Sequence, residues 1–119
     1  MNYDNELRNR IKNFALRIIK LSASLPQNRE ADVIGKQVLR SGTSVGAQFR
    51  EAFRAKSNAD YISKLEGANQ ELDETDYWLE ILCEAGIMPL ERLSPLRKET
   101  SELIAILTTI IRKVKAKTK

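Results

Sequence analysis

The side chains that usually do chemistry are scarce in this chain. It contains no histidine, so the commonest general base and the commonest transition-metal ligand are both absent. Glu-x-x-His pairs, the ligands of di-iron bundles, cannot be assembled. The one cysteine, Cys83, can neither close a disulfide within a single chain nor complete a Cys/His zinc site. It lies in the apolar run WLEILCEAGI and reads as a buried, inert thiol. Glu71, Asp73 and Glu74 lie close in sequence and could hold a hard cation. A solvated or ion-paired helix face suits that spacing better. The glycines of RSGTSVGAQFREAF, Arg40 to Phe53, do not make a phosphate loop. That motif needs G-x-x-x-x-G-K-[ST] between a strand and a helix. Gly42 and Gly46 are four apart, no lysine follows, and no strand pattern precedes. These residue types predict no catalytic centre, no cofactor and no metal, so the expected class is non-enzymatic.

What remains is binding. The chain has 20 Lys and Arg against 16 Asp and Glu, a net charge of +4. The distribution says more than the sum. Residues 57–88 carry one base, Lys64, against eight acids, while residues 1–25 carry five bases against two acids. Acidic and basic segments of one chain attract each other, and the basic remainder can face an anionic partner. Candidate nucleic-acid contacts are Arg8, Arg10, Lys12, Arg17 and Lys20 in the first segment. Arg50, Arg54 and Lys56 follow in the second, and Arg112, Lys113, Lys115 and Lys117 in the last. Outside the core pattern only Tyr3, Tyr77 and Trp78 could stack on bases, which disfavours single-strand stacking as the main mode.

These bases need helices to present them. Leu7, Ile11, Phe14, Ile18, Leu21 and Leu25 repeat at spacings of four and three. Tyr61, Leu65, Ala68, Leu72, Thr75, Leu79 and Leu82 do the same, as do Leu96, Thr100, Leu103, Leu107, Ile110 and Val114. Each set forms one apolar stripe on a helix. Neighbours such as Ile19, Ile62, Trp78, Ile104 and Ile111 widen the stripes, which suits a bundle better than a two-stranded coiled coil. Pro26 ends the first helix, Ser57 with Asp60 forms a capping box, and Gly86 caps the third helix. Ser94 and Pro95 read as the start of the fourth helix after a lead-in turn, and the tail KAKTK frays. The prediction is one domain over 1–119. It is an all-α, antiparallel up-down-up-down four-helix bundle with helices over about 3–25, 28–55, 58–85 and 95–116. No secretory or membrane-spanning pattern is visible, so a cytoplasmic location with no membrane partner is expected.

The glycine stretch keeps helical register. Ile34, Val38, Ser41, Val45, Gln48, Ala52 and Ala55 continue one stripe through it. Gly35, Leu39, Gly42, Gly46, Phe49 and Phe53 make a second. A glycine in a helix interior costs up to about 1 kcal/mol relative to alanine. Close approach of a neighbouring helix is the simplest compensation, with Gly42 and Gly46 as its surface. That neighbour can belong to the bundle or to another subunit. Ser41 and Gln48 fall on an apolar stripe: Ser41 either bonds back to its own helix or joins a buried polar network that fixes register. Arg40, Ser44, Gln48 and Glu51 are its candidate members, with Glu71 or Glu74 as partners for Arg40 across the bundle.

The run RSGTSVGAQFREAFRAKSNADYISKLEGANQELDETDYWLEIL resembles the four-helix bundle proteins encoded by intervening sequences within bacterial 23S ribosomal RNA genes. The match lies at Arg40, Ser41, Gly42, Ser44, Glu51 and Ala52, then at Tyr61, Lys64, Gly67, Ala68, Glu71 and Glu74. Gln48 stands where that family usually has asparagine. The resemblance implies an up-down-up-down bundle, assembly as a homopentameric ring or barrel, and no enzymatic activity. It also implies similarity to the accessory variability determinants of diversity-generating retroelements, which bind a reverse transcriptase and nucleic acid through a basic pentamer surface. The expected function is a homo-oligomeric bundle that binds nucleic acid, structured RNA above all, through its basic helix faces. The alternative is an adaptor that presents a surface to a partner enzyme such as a reverse transcriptase.

Overall fold

A computed structural model describes residues 2–117, with side chains from residue 5 onward. The side chain of Tyr3 and the tail residues Thr118 and Lys119 lie outside the described residues. Four helices make up the chain: α1 (Asn2–Ala23), α2 (Arg29–Ala52), α3 (Asn58–Glu84) and α4 (Leu90–Lys117).

The helix ends follow from local chemistry. Asn28 and Ser57 have extended backbone, and their side chains accept hydrogen bonds from the Ala31 and Asp60 amides. Each satisfies an amide that the first turn leaves without a partner. The capping box at Ser57 is not reciprocal: Asp60 accepts from the Lys56 amide, one residue before the cap. Gly86, at φ 72°, closes α3. The Ile87 amide donates to the Leu82 carbonyl and the Gly86 amide to the Cys83 carbonyl, both at 3.0 Å. That paired closure requires a left-handed residue, which glycine adopts without strain.

Three boundaries differ from the sequence expectation. Helix α1 stops at Ala23 rather than Leu25, because Ser24 turns its hydroxyl and amide back onto the Leu21 carbonyl. Helix α2 ends at Ala52 rather than at residue 55. The fourth helix begins at Leu90, so Ser94 is not its cap and Pro95 lies inside it. Pro95 is the sixth helical residue, so it removes one helical bond, the one an amide there would give to the Glu91 carbonyl. Burial of Met88 and Leu93 fixes this extra turn on the core.

Short connections make consecutive helices antiparallel neighbours. Helix α1 packs on α2, α2 on α3 and α3 on α4, while α1 and α4 meet only thinly and, among the described residues, the backbones of the diagonal pairs come no closer than 8 Å between Cα atoms. The bundle measures 49 × 24 × 22 Å. Leu7, Ile11, Phe14, Ile18 and Leu21 fill the core from α1. On α2 the two stripes merge into one wide buried face, which includes Gly35, Val38, Ser41, Gly42, Val45 and Phe49. Toward the end of α4 the buried residue is Ile111 rather than Ile110 or Val114. A straight helix drifts about 20° per heptad from a four-three repeat, which rotates the stripe by one residue. Ile19, placed beside the α1 stripe by its spacing, is instead 46% exposed. Cys83 is partly buried against the core.

The glycines locate the tightest packing. A Cβ on Gly42 would lie 2.7 and 2.8 Å from Ile18 Cγ2 and Cγ1, so α1 is the close neighbour and the contact lies within the bundle. A Cβ on Gly46 would meet only Ile11 Cγ2, at 3.5 Å.

Candidate nucleic-acid interface

The fold sorts the charges of this chain. Helix α3 holds half of the acids, and cations of its neighbours reach several of them. Arg40 on α2 bonds to Glu71 and Glu74. Glu74 also accepts from the Trp78 indole at 3.1 Å. The indole and then Arg40 hold its carboxyl below the usual carboxylate range. Arg97 on α4 grips both oxygens of Asp76 at 3.0 and 3.2 Å. Lys115 reaches Glu66 at 2.9 Å, and Glu51 on α2 meets Lys64 of α3 at 3.0 Å. On the opposite side Arg10 clasps Glu99 through two bonds of 2.7 Å and Glu102 through one of 2.5 Å. This fork bridges the thin α1–α4 seam and raises the Arg10 pKa, Glu99 being the main cause.

The proposed polar cluster on α2 divides into separate contacts. Ser44 donates to the Arg40 carbonyl of its own helix at 2.7 Å. The Gln48 carboxamide lies over Gly67, where a Cβ would overlap it. Glu51 belongs to the Lys64 pair. Ser41 is fully buried, and its oxygen lies 2.8 Å from the hydroxyl of buried Thr75. Thr75 is also 2.7 Å from the Glu71 carbonyl, and Ser41 3.4 Å from that of Val38. Two hydroxyl protons therefore serve three oxygen–oxygen contacts, and α2 is tied to α3 across the core. The contacts of Thr75 and Gly67 are not legible in the sequence. Thr75 lies on an otherwise apolar stripe, and that was the available signal. Gly67 carries part of the resemblance but shows no packing role by itself, because the length of Gln48 decides it.

After these pairings, two groups of cations have no ion pair among the described residues: one on α4, including Arg112, Lys113 and Lys117, and one on and just beyond α1 and α2. Arg8, Lys12, Arg17 and Lys20 on α1 form no ion pair among the described residues, and neither do Arg50 in the last turn of α2 or Arg54 and Lys56 just beyond it. All except Arg8 are exposed. Arg8 is held by a ring rather than an acid: its guanidinium carbon lies 4.7 Å from the Phe53 centroid. Between α1 and α2 lies a groove of about 440 Å³. Arg8, Lys12 and Arg50 border it, Ala15, Gly46 and Ala47 are among its small lining residues, and no carboxylate lines it among the described residues.

The α4 cations stand in a different field. Arg112 and Lys115 border an α3–α4 groove of about 580 Å³ that also carries Glu66 and Asp73. Lys113 and Lys117 are exposed. Tyr77 is exposed and packs edge-on against Trp78, with ring centroids 4.9 Å apart. Among the described residues no group of three acids and cysteines is placed to hold a metal ion. No helix is long and apolar enough to cross a membrane.

Comparison with known proteins agrees with this architecture. A family model described as "23S rRNA-intervening sequence protein" matches residues 3–109. The chain is also similar to a protein of unknown function from the S23 ribosomal protein family of Bacteroides thetaiotaomicron VPI-5482, whose crystal structure is known. The TM-score is 0.83 and the identity 39%, over 88% of this chain and 97% of that one. No curated protein matches.

Proposed function

The chain belongs to the 23S rRNA-intervening sequence protein family, and from that premise we propose that it is a non-enzymatic, nucleic-acid-binding bundle. Its target is structured RNA, met by the basic face of α1 and α2. The observation that carries this is the unmatched charge of that face. Among the described residues Arg8, Lys12, Arg17, Lys20, Arg50 and Arg54 form no ion pair, although the same chain neutralises Arg10, Arg40, Lys64 and Arg97. Cations so placed neutralise phosphates without reading bases, which makes binding tolerant of sequence and steeply dependent on salt. Filter binding of 23S rRNA fragments tests this. Retention that falls as salt rises from about 50 to 200 mM is expected; no retention at the lower salt refutes it.

The protein acts as a homo-oligomer, a pentamer by its family resemblance. Leu16 and Val33, 54% and 55% exposed, supply apolar surface for such contacts. Light scattering returning a monomeric mass would remove this part. The same apolar surface supports a second role as an adaptor for a partner enzyme such as a reverse transcriptase. Recovery of a stoichiometric partner enzyme, unaffected by nuclease, would favour that role over direct RNA binding.

A further inference from the structure

We infer that the groove between α1 and α2 is a phosphodiester seat, in which Arg8, Lys12 and Arg50 bind the backbone oxygens and Gly46 leaves room for the strand; this rests on the nucleic-acid reading above. Three observations converge on it.

The first is charge. Three cations from two helices meet over one groove that has no carboxylate among the described residues of its lining. In the α3–α4 groove, Glu66 and Asp73 offset Arg112 and Lys115. A phosphate is therefore attracted to the first groove and met by mixed charge in the second.

The second is Arg8. Its Nε is buried and bonds to no described protein group, and its guanidinium lies over Phe53. A buried charged donor without an acceptor is costly. An anion in the groove neutralises this guanidinium, and its bonds to charged donors are strong ones.

The third is Gly46. Gly42 has a packing reason to be glycine, because Ile18 fills the space where a Cβ would go. Gly46 has none: a Cβ there would make an ordinary 3.5 Å contact with Ile11. A mid-helix glycine costs up to about 1 kcal/mol relative to alanine, and the bundle gains no closer approach from it. Room in the groove accounts for it, since Gly46 forms part of the groove wall beside Ala15 and Ala47.

The test compares Lys12→Gln/Arg50→Gln with Arg112→Gln/Lys113→Gln, which removes the same charge elsewhere. Neither pair includes Arg8, whose ring contact supports the fold. Gly46→Leu is the third variant: it fills the groove without changing charge. Melting followed by circular dichroism confirms that each variant is folded. Fluorescence anisotropy with labelled RNA of about 20 nucleotides, single-stranded and duplex, reads binding across a salt series. The groove pair is expected to bind about tenfold or more weakly at low salt, with a log–log salt slope shallower by about two. The α4 pair stays close to wild type, and Gly46→Leu weakens binding while keeping its fold. DNA of equal length separates two sources of the grip. An equal loss assigns it to the phosphodiester alone, and a loss confined to RNA adds the 2′-hydroxyl; either supports the seat. Equal weakening by both charge pairs, with Gly46→Leu binding like wild type, overturns the seat and leaves nucleic-acid binding intact. Wild-type protein that binds no probe at low salt overturns both.

Discussion

Alanine at Gly42 and alanine at Gly46 should change stability in opposite directions. Both substitutions gain up to about 1 kcal/mol of helix propensity. They differ in what the new methyl meets. At position 42 it would lie 2.7 and 2.8 Å from Ile18 Cγ2 and Cγ1 and 3.1 Å from Ile18 Cβ. Carbon atoms pack best at about 3.5–4.0 Å, so the overlap is large. Ile18 is fully buried and β-branched, with a stiff χ1. Its own Cβ is too close, so side-chain rotation alone gives no relief and α1 must move away from α2. Overpacking of this kind costs about 1–3 kcal/mol, leaving Gly42→Ala about 0–2 kcal/mol less stable than wild type. At position 46 the nearest atom is Ile11 Cγ2 at 3.5 Å, and Gly46→Ala should gain about 0.5–1 kcal/mol. Urea unfolding followed by helical circular dichroism, at one fixed protein concentration, measures both. A cycle with Ile18→Ala isolates the clash: the cost of Ile18→Ala should shrink by about 1–3 kcal/mol in the Gly42→Ala background. Gly42→Ala more stable than wild type, or the absence of coupling to Ile18, refutes the close-packing argument.

Further outcomes are expected elsewhere in the bundle. Thr75→Val leaves Ser41 with only its 3.4 Å neighbour, the Val38 carbonyl, and should cost about 1–2 kcal/mol. Ser41→Ala should cost less, because Thr75 keeps the Glu71 carbonyl; the same unfolding curves rank the two. Arg10→Ala opens the α1–α4 fork and should lower stability by about 1 kcal/mol, yet leave RNA affinity nearer wild type than Lys12→Gln does. Anisotropy and melting on the same preparations separate those effects. Glu74 gives a pH dependence of known sign. Its folded pKa is lowered by Trp78 and then Arg40, so its contribution is present above the ordinary carboxylate pKa and is lost as pH falls through the folded one. Thermal melts from about pH 6 down to 3 should show a declining Tm that Glu74→Gln makes shallower. An identical slope in the variant would remove Glu74 from the account.

The sequence by itself determined the elements. Apolar spacing placed all four helices, and Ser57 and Gly86 marked the two ends of α3, because periodicity and capping are properties of a few successive residues. The same local logic failed at Ser94 and Pro95, where burial of Leu93 and Met88 carries α4 back to Leu90. A local stop signal yields when a longer helix buries more apolar surface. Composition also marked a basic chain with one acidic segment. Only the tertiary structure decided which cations those acids neutralise. That depends on how each helix is rotated and staggered against its neighbours, which no single stripe encodes. The same rotation put Gly42 against Ile18, Ser41 against Thr75, and Arg8, Lys12 and Arg50 over one groove. Two glycines four residues apart looked alike as sequence. Packing gives one a helix to admit and leaves the other facing a groove, since the space around a residue is set by partners distant in the chain.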